Sequence, residues 1–292
     1  MREKFTIVDV IVYLLLALLA MSILFAFLHL LSLSFSPSYV ATKGGLHLVP
    51  VDPTLDNYRK VMESQYIWQG YKNTLIRTIV GTVLQLLVTA MGAYTLSKKF
   101  FPHRSFWTFL IAFTMFFSGG LIPSYILVVK LGLMDTYAAM FLPGLVSAYN
   151  LIIMRNYFMS LPEEVEESCM IDGAGRFRIF FQIVLPLSKP ILATVALWLA
   201  VGHWNAWFDV LLYISKDSMF TLQIVLRRII ITGTQQMLDM NLTSELLQSQ
   251  VQYSPEGVKA AAIFVATVPI LCVYPFLQKY FVKGIMVGSL KG

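Results

Sequence analysis

Apolar and charged positions alternate along this chain over blocks of about 20 residues, the length a helix needs to cross a bilayer. Six stretches of 19 residues or more hold no Asp, Glu, Lys or Arg: Val10–Thr42, Thr78–Ser97, Ser105–Val129, Thr136–Met154, Pro190–Phe208 and Ala260–Gln278. The next longest, such as Ile179–Ser188, reach only 10. The pattern predicts an all-α, polytopic membrane protein with six transmembrane helices, over about 10–34, 74–97, 105–129, 136–155, 190–213 and 259–279. An even number of crossings puts both termini on one side. The first run follows Arg2 and Lys4, as a secretory signal would. It is too long for one and no small-x-small site ends it, so it reads as a retained anchor. Gly119-Gly120 and Pro123 interrupt the third run, and Pro269 and Pro275 the last. In lipid, the backbone groups freed there must meet neighbouring helices, a cavity or the outer surface. With no internal repeat and no linker, residues 1–292 read as one membrane domain.

The connection between the fourth and fifth runs, 160–190, has a different pattern. Ser160 with Glu163 three residues on forms the sequence of a capping box, and Pro162 suits a first helical turn. Glu163, Glu164, Glu166 and Glu167 crowd the positive end of the helix dipole. Val165, Cys169 and, a turn on, Met170 or Asp172 define the faces, and Gly173 and Gly175 stop the helix. A second amphipathic stretch with Phe177, Phe180, Phe181 and Val184 ends at Pro186 and Pro190. The expectation is a short acidic helix lying across one membrane face between two bends, a shape suited to a soluble partner.

Composition agrees with a lipid-solvated chain. The apolar set AVILMFWYC makes up 57% and charged residues 13%, about half the usual charged share. This excludes disorder, a coiled coil and a typical soluble enzyme. The net charge of +6 would hint at nucleic acid in a soluble domain. Here membrane topology accounts for most of it. Of 22 basic residues, 12 lie in the shorter set of connections (Arg2, Lys4; Lys98, Lys99, Arg104; Arg155, Arg176, Arg178, Lys189; Lys279, Lys283, Lys291). The denser set marks the cytoplasmic side, so both termini and 160–190 are expected inside a bacterial cytoplasmic membrane. Cys169 and Cys272 form no disulfide framework and serve as small apolar filler. The long outer segment 214–257, rich in Gln and Asn, is equally a docking surface or a solvated connector; its Asn241-Leu242-Thr243 sequon is a chance match.

Glu167, Gly173 at +6, Ile183 at +16, Leu185 at +18 and Pro186 at +19 match the spacing of the Glu-Ala-Ala-x-x-x-Gly-x9-Ile-x-Leu-Pro signature of binding-protein-dependent ABC importer permeases. Ser168-Cys169 replace its two alanines, small for small. The chain therefore resembles that family over nearly its whole length. Asp172-Gly173-Ala174-Gly175, Tyr71-Lys72-Asn73-Thr74-Leu75, Gly92-Ala93-Tyr94-Thr95-Leu96-Ser97 and Trp204-Asn205-Ala206-Trp207 resemble its carbohydrate branch, the maltose-type superfamily. The tail 274–292 is similar to a subgroup importing polysaccharide fragments, pectin-derived and alginate among them, and within it to the smaller permease subunit of an alginate-type importer. The resemblance implies a type I importer permease fold, a second homologous permease, two ATPase subunits carrying Mg-ATP, and an external solute-binding protein delivering an oligosaccharide. It makes 160–190 the coupling segment, with Glu163, Glu164, Glu167, Ser168, Cys169, Asp172, Gly173, Ala174 and Pro186 as the residues that meet or shape the ATPase contact.

The chain has no Gly-x-x-x-x-Gly-Lys-Ser/Thr to hold ATP phosphates, no metal-ligand spacing and no catalytic constellation. Energy must come from another polypeptide, and this chain carries no cofactor and no enzymatic site of its own. Polar residues inside membranes are functional candidates. Tyr149, Asn150, His203, Trp204, Asn205, Trp207 and Asp209 offer aromatic faces and amides suited to a sugar pathway. The competing reading is that Asn205 and Asp209 bond neighbouring helices and the tryptophans mark an interface belt. His29, His47 and His103 are assigned no role. Two rival functions remain at this level: import of another solute, such as a peptide or lipid-linked compound, and an ATP-independent channel or membrane scaffold.

Overall fold

In the computed structural model, residues 7–37, 39–40, 45–239 and 256–272 are described. The tail motif, Arg2 and Lys4, the sequon and residues 240–255 of the outer segment lie outside them. All regular elements among the described residues are helical. The chain divides into two compact units, 1–68 with 225–269, and 69–224 with 270–292.

The first unit is built on α1 (Ile7–Ser34), whose most apolar window has no buried residue. A helix so apolar and so exposed is stable only where lipid is the solvent. Its polar end is pinned by a short amphipathic helix, α2 (Asp56–Glu63). Buried Asn57 donates to the carbonyls of Ser34 and Ser36, at 3.1 and 2.9 Å, and Tyr58 Oη meets Ser34 Oγ at 2.8 Å. The 256–272 helix closes on the same point. A Cβ on Gly257 would lie 2.6 Å from Asn57 Nδ2, so only glycine permits this approach. Phe27 and Phe264 meet edge to face at 4.9 Å.

The second unit is organised by α3 (Gln65–Ser97), 33 residues without a break. Around it run α4 (Arg104–Phe113), α5 (Leu121–Lys130), α6 (Ala148–Met159), α7 (Glu163–Ile171), α8 (Arg176–Ile179), α9 (Lys189–Asn205) and α10 (Phe208–Tyr213). Small Ala90 and Ala93 let α3 approach Met154 and Phe158 of α6 and Val195 of α9. This is how helices associate in lipid, where apolar transfer drives nothing. Beyond α10 lies α11 (Leu222–Asp239).

Of the six expected spans, α1 and α3 are unbroken helices long and apolar enough to cross a membrane. A third exists as a bent pair, Arg176–Leu187 with Lys189–Asn205, at 83°. The run 105–129 is two helices, parted where Gly120 takes a positive φ of 87°. The run 136–155 starts as a 3-10 turn, Tyr137–Met140, and becomes α-helical only at Ala148. The run 190–213 breaks at Ala206-Trp207. The last span is described only to 272. Charge-free length reports what lipid tolerates, and it does not report helix continuity. Breaks at Gly120, before Ala148 and at Ala206-Trp207 interrupt the ladder inside three of these runs.

Candidate functional site

The connection 160–190 does form a short helix, α7, but with a different start from the one expected. Ser160 closes α6 instead of opening α7: its Oγ donates to the Tyr157 carbonyl at 2.7 Å, satisfying an orphan acceptor of that helix end. Pro162 occupies the N-cap with no side-chain cap bond, so the capping box does not form. Glu163, free of that duty, reaches Lys99 Nζ at 2.8 Å. The exposed pair holds the Glu163 carboxyl below the usual carboxylate range, chiefly through the hydrogen bond from Lys99 and then its charge.

The far end follows expectation. Gly173 has φ +81°, its N–H donates to the Met170 carbonyl at 3.0 Å, and the Ala174 N–H donates to Cys169 at 2.9 Å. These two bonds make a Schellman end. Beyond it α8 runs into a π-helical turn, Phe180–Val184, in which the Leu185 N–H donates five residues back to Phe180. Pro186, which cannot donate, follows this widened turn, and the chain bends by 83° at Ser188, between Pro186 and Pro190.

One face of α7 is seated and the other is open. Val165 and Cys169 are half-buried, and Glu166 is only 7% exposed. Lys98 Nζ pairs with the Glu166 carboxylate, and Tyr94 Oη donates to it at 3.0 Å. Arg155 Nε caps the Leu96 carbonyl at the end of α3, at 3.1 Å, and the Arg176 guanidinium lies 3.9 Å over the Phe100 ring. Glu163, Glu164, Glu167, Ser168, Asp172 and Gly173 are exposed, with Ile171 86% exposed among them. The open face is thus an acidic rim around a bare isoleucine. Ala174 lies half-buried against the core and Pro186 stays exposed at the bend.

The polar residues expected to line a pathway have different settings. Asp209 accepts both arms of the buried Arg77 guanidinium, one at 3.1 Å, across α3 and α10. His203 Nε2 meets Gln85 Oε1 at 3.1 Å, Gln85 donates to the Gly144 carbonyl at 2.8 Å, and a Cβ on Gly81 would come within 2.7 Å of the imidazole. Trp204 is buried beside Tyr71, with ring centroids 6.4 Å apart. Asn205 donates to Val201 of its own helix, at 3.0 Å, from an exposed position. Trp207 sits half-buried against Phe208, 5.5 Å between centroids. Tyr149 is exposed, 6.1 Å from Trp198, and Asn150 is buried. Asp209 and His203 thus bind helices to one another.

The model of the family described as "Binding-protein-dependent transport system inner membrane component" matches residues 103–287. The chain belongs to this family. It is 41% identical over 266 residues to Protein LplC of Bacillus subtilis, covering 91% of this chain and 88% of that one. It is 38% identical over 284 residues to the Polygalacturonan/rhamnogalacturonan transport system permease protein YtcP of the same organism, covering 97% and 98%. A solved chain from the crystal structure of a bacterial ABC transporter involved in the import of the acidic polysaccharide alginate superposes with a TM-score of 0.87 at 32% identity, covering 96% of this chain and 100% of that chain. The permease fold expected from the sequence is therefore present, with membrane-crossing helices among its elements.

Three structural roles in this inner-membrane component escaped the sequence. Glu166 looked like its three neighbours, and only its register with Lys98 buries it. Arg77 stands just before a charge-free run, with nothing local to pair it with Asp209. Asn73 and Thr74 carry no charge. Asn73 donates at 2.9 Å to the carbonyls of both Ser218 and Phe220 and accepts from Tyr137 Oη at 2.7 Å, and Thr74 Oγ1 accepts from the Leu222 N–H at 2.9 Å. The Tyr71–Leu75 motif was visible, and its task of holding the chain beyond the fifth run was not.

Proposed function

We propose that this chain is one transmembrane subunit of an ATP-driven importer that takes oligosaccharides, polysaccharide breakdown fragments and alginate among them, from an external binding protein into the cytoplasm by alternating access. It works as a single permease domain that crosses the membrane six times with both termini inside. Its partners are a second homologous permease and two ATPase subunits that carry the Mg-ATP. The observation that carries the reading is α7. Its open face presents Glu163, Glu164, Glu167, Ser168 and Asp172 around Ile171, its other face is fastened through Cys169 and Glu166, and Gly173 and Ala174 close its end. The gathering of Lys98, Lys99, Arg104, Arg155 and Arg176 around it supports a cytoplasmic position. The saccharide assignment is supported by relatives named for polygalacturonan and rhamnogalacturonan and by the alginate importer structure. Exposed Tyr149 and Asn205 are the pathway candidates best placed to meet a sugar.

The test is affinity purification of the tagged chain in detergent, assaying bound ATPase, for wild type and Gly173→Val. A Cβ at position 173 has open space but a left-handed backbone, where a non-glycine residue costs about 1–2 kcal/mol. Wild type should carry ATPase activity, and the variant should lose most of it while still folding. Wild-type protein without ATPase returns the channel or scaffold reading.

A further inference from the structure

We propose that the buried Glu166 carboxylate is a positioning group that locks the coupling helix to α3, so that movement of α7 under an ATPase is passed to α3 and not dissipated by rolling of α7. The inference rests on the importer reading above. Three of the four glutamates in α7 are exposed, and a carboxylate at the contact face needs a reason to be there. Burying it demands full compensation, and it has two donors, the Lys98 ammonium and the Tyr94 hydroxyl. Those donors are themselves fixed. The Tyr94 ring is held by Phe158 of α6 at 6.3 Å and Phe180 of the π turn at 5.1 Å, and Lys98 Nζ lies 4.6 Å over its face.

The neighbouring Lys99–Glu163 pair differs. Its side chains are 75% and 60% exposed, and such pairs are screened and weak. Without Glu166, α7 would rest on the core through Cys169, an apolar contact with no angular preference. Its covalent tethers, at Ser160–Pro162 and at the glycine end, bend easily. The shared proton donors therefore set the angle of α7. They also join it to an unbroken helix long enough to carry displacement to the far side. α3 continues unbroken from Lys98's neighbour Ser97 to Arg77, about 30 Å at the helical rise. There it grips Asp209 beside the break in the fifth run.

The test compares hydrogen exchange of the full-length wild-type chain, Glu166→Gln, Tyr94→Phe and the exchanged pair Glu166→Lys/Lys98→Glu, first nucleotide-free in lipid nanodiscs. Glu166→Gln should speed exchange of the α7 amides by about tenfold, with the exchanged pair restoring protection and Tyr94→Phe, which keeps the ring, in between. The second arm uses the complex purified with its ATPase. Mg-ATP should alter exchange in the Lys98-proximal half of α3 in wild type, and in Glu166→Gln the change should stop within α7 while ATPase remains bound. Unchanged α7 protection in Glu166→Gln, or an equal α3 response in that variant, overturns the inference. Wild type that binds no ATPase overturns the importer reading and the transmission role together, and the nucleotide-free arm still decides whether Glu166 locks α7.

Discussion

Arg77 and Asp209 show how a residue's role depends on what surrounds it. Both would be costly alone in a bilayer. Together they form a two-armed pair in which the Arg77 side chain is 3% exposed and that of Asp209 30%. Removing one partner of a buried pair leaves an uncompensated charge and costs about 3–5 kcal/mol, whereas replacing both with apolar groups is near neutral. Asp209→Ala should therefore lower the unfolding midpoint in detergent sharply, and Arg77→Met/Asp209→Leu should recover most of it. A single variant as stable as wild type would show that the pair contributes little. His203 is constrained in the same way, by Gln85 on one side and the bare Cα of Gly81 on the other. Neither residue is free to serve as a saccharide ligand without breaking a helix contact.

At the scale of elements, α7 was legible in the sequence and its setting was not. Four glutamates after a proline and a Gly-x-Gly stop define a short helix by local rules alone, and the Schellman end realises them. The start failed because Ser160 had two helices to serve, and the orphan carbonyl of Tyr157 took its hydroxyl. The interrupted runs were partly legible: Gly119-Gly120 marked one break, whereas nothing in Trp204-Asn205-Ala206-Trp207 marked another. Which glutamate is buried depends on the register of α7 against α3, a tertiary fact. The exposed Glu163–Lys99 contact makes a pH prediction. Lys99 depresses the Glu163 pKa in the folded chain. The contact's support is complete above the ordinary glutamate value and is lost as pH falls through the depressed one. A carbon-13 carboxyl titration should give Glu163 a lower midpoint than the same residue in Lys99→Met, with the difference shrinking in high salt. Coincident midpoints would remove the contact from solution.

At the scale of the whole molecule, the question is what crosses the membrane. The charge of +6 by itself would favour an acidic saccharide. Twelve of the 22 basic residues, however, belong to connections assigned to the cytoplasmic side, and Arg77 is spent on Asp209. The other nine are spread through the longer connections assigned to the outer side, a thinner density than inside. Affinity for the permease is then expected to depend weakly on substrate charge. The full assembly in proteoliposomes, with its binding protein inside the assay, should hydrolyse ATP faster when alginate or polygalacturonate oligomers are added. A neutral oligomer of equal length should stimulate only if the binding protein also holds it. Lowering ionic strength should change the stimulation by less than about tenfold, because screening acts on exposed charges and twelve of the 22 basic residues are assigned to the other face. A steep salt dependence that persists when substrate-loaded binding protein is saturating would place the charge recognition inside the permeases. Stimulation by neither acidic nor neutral oligomers would point to another class of solute.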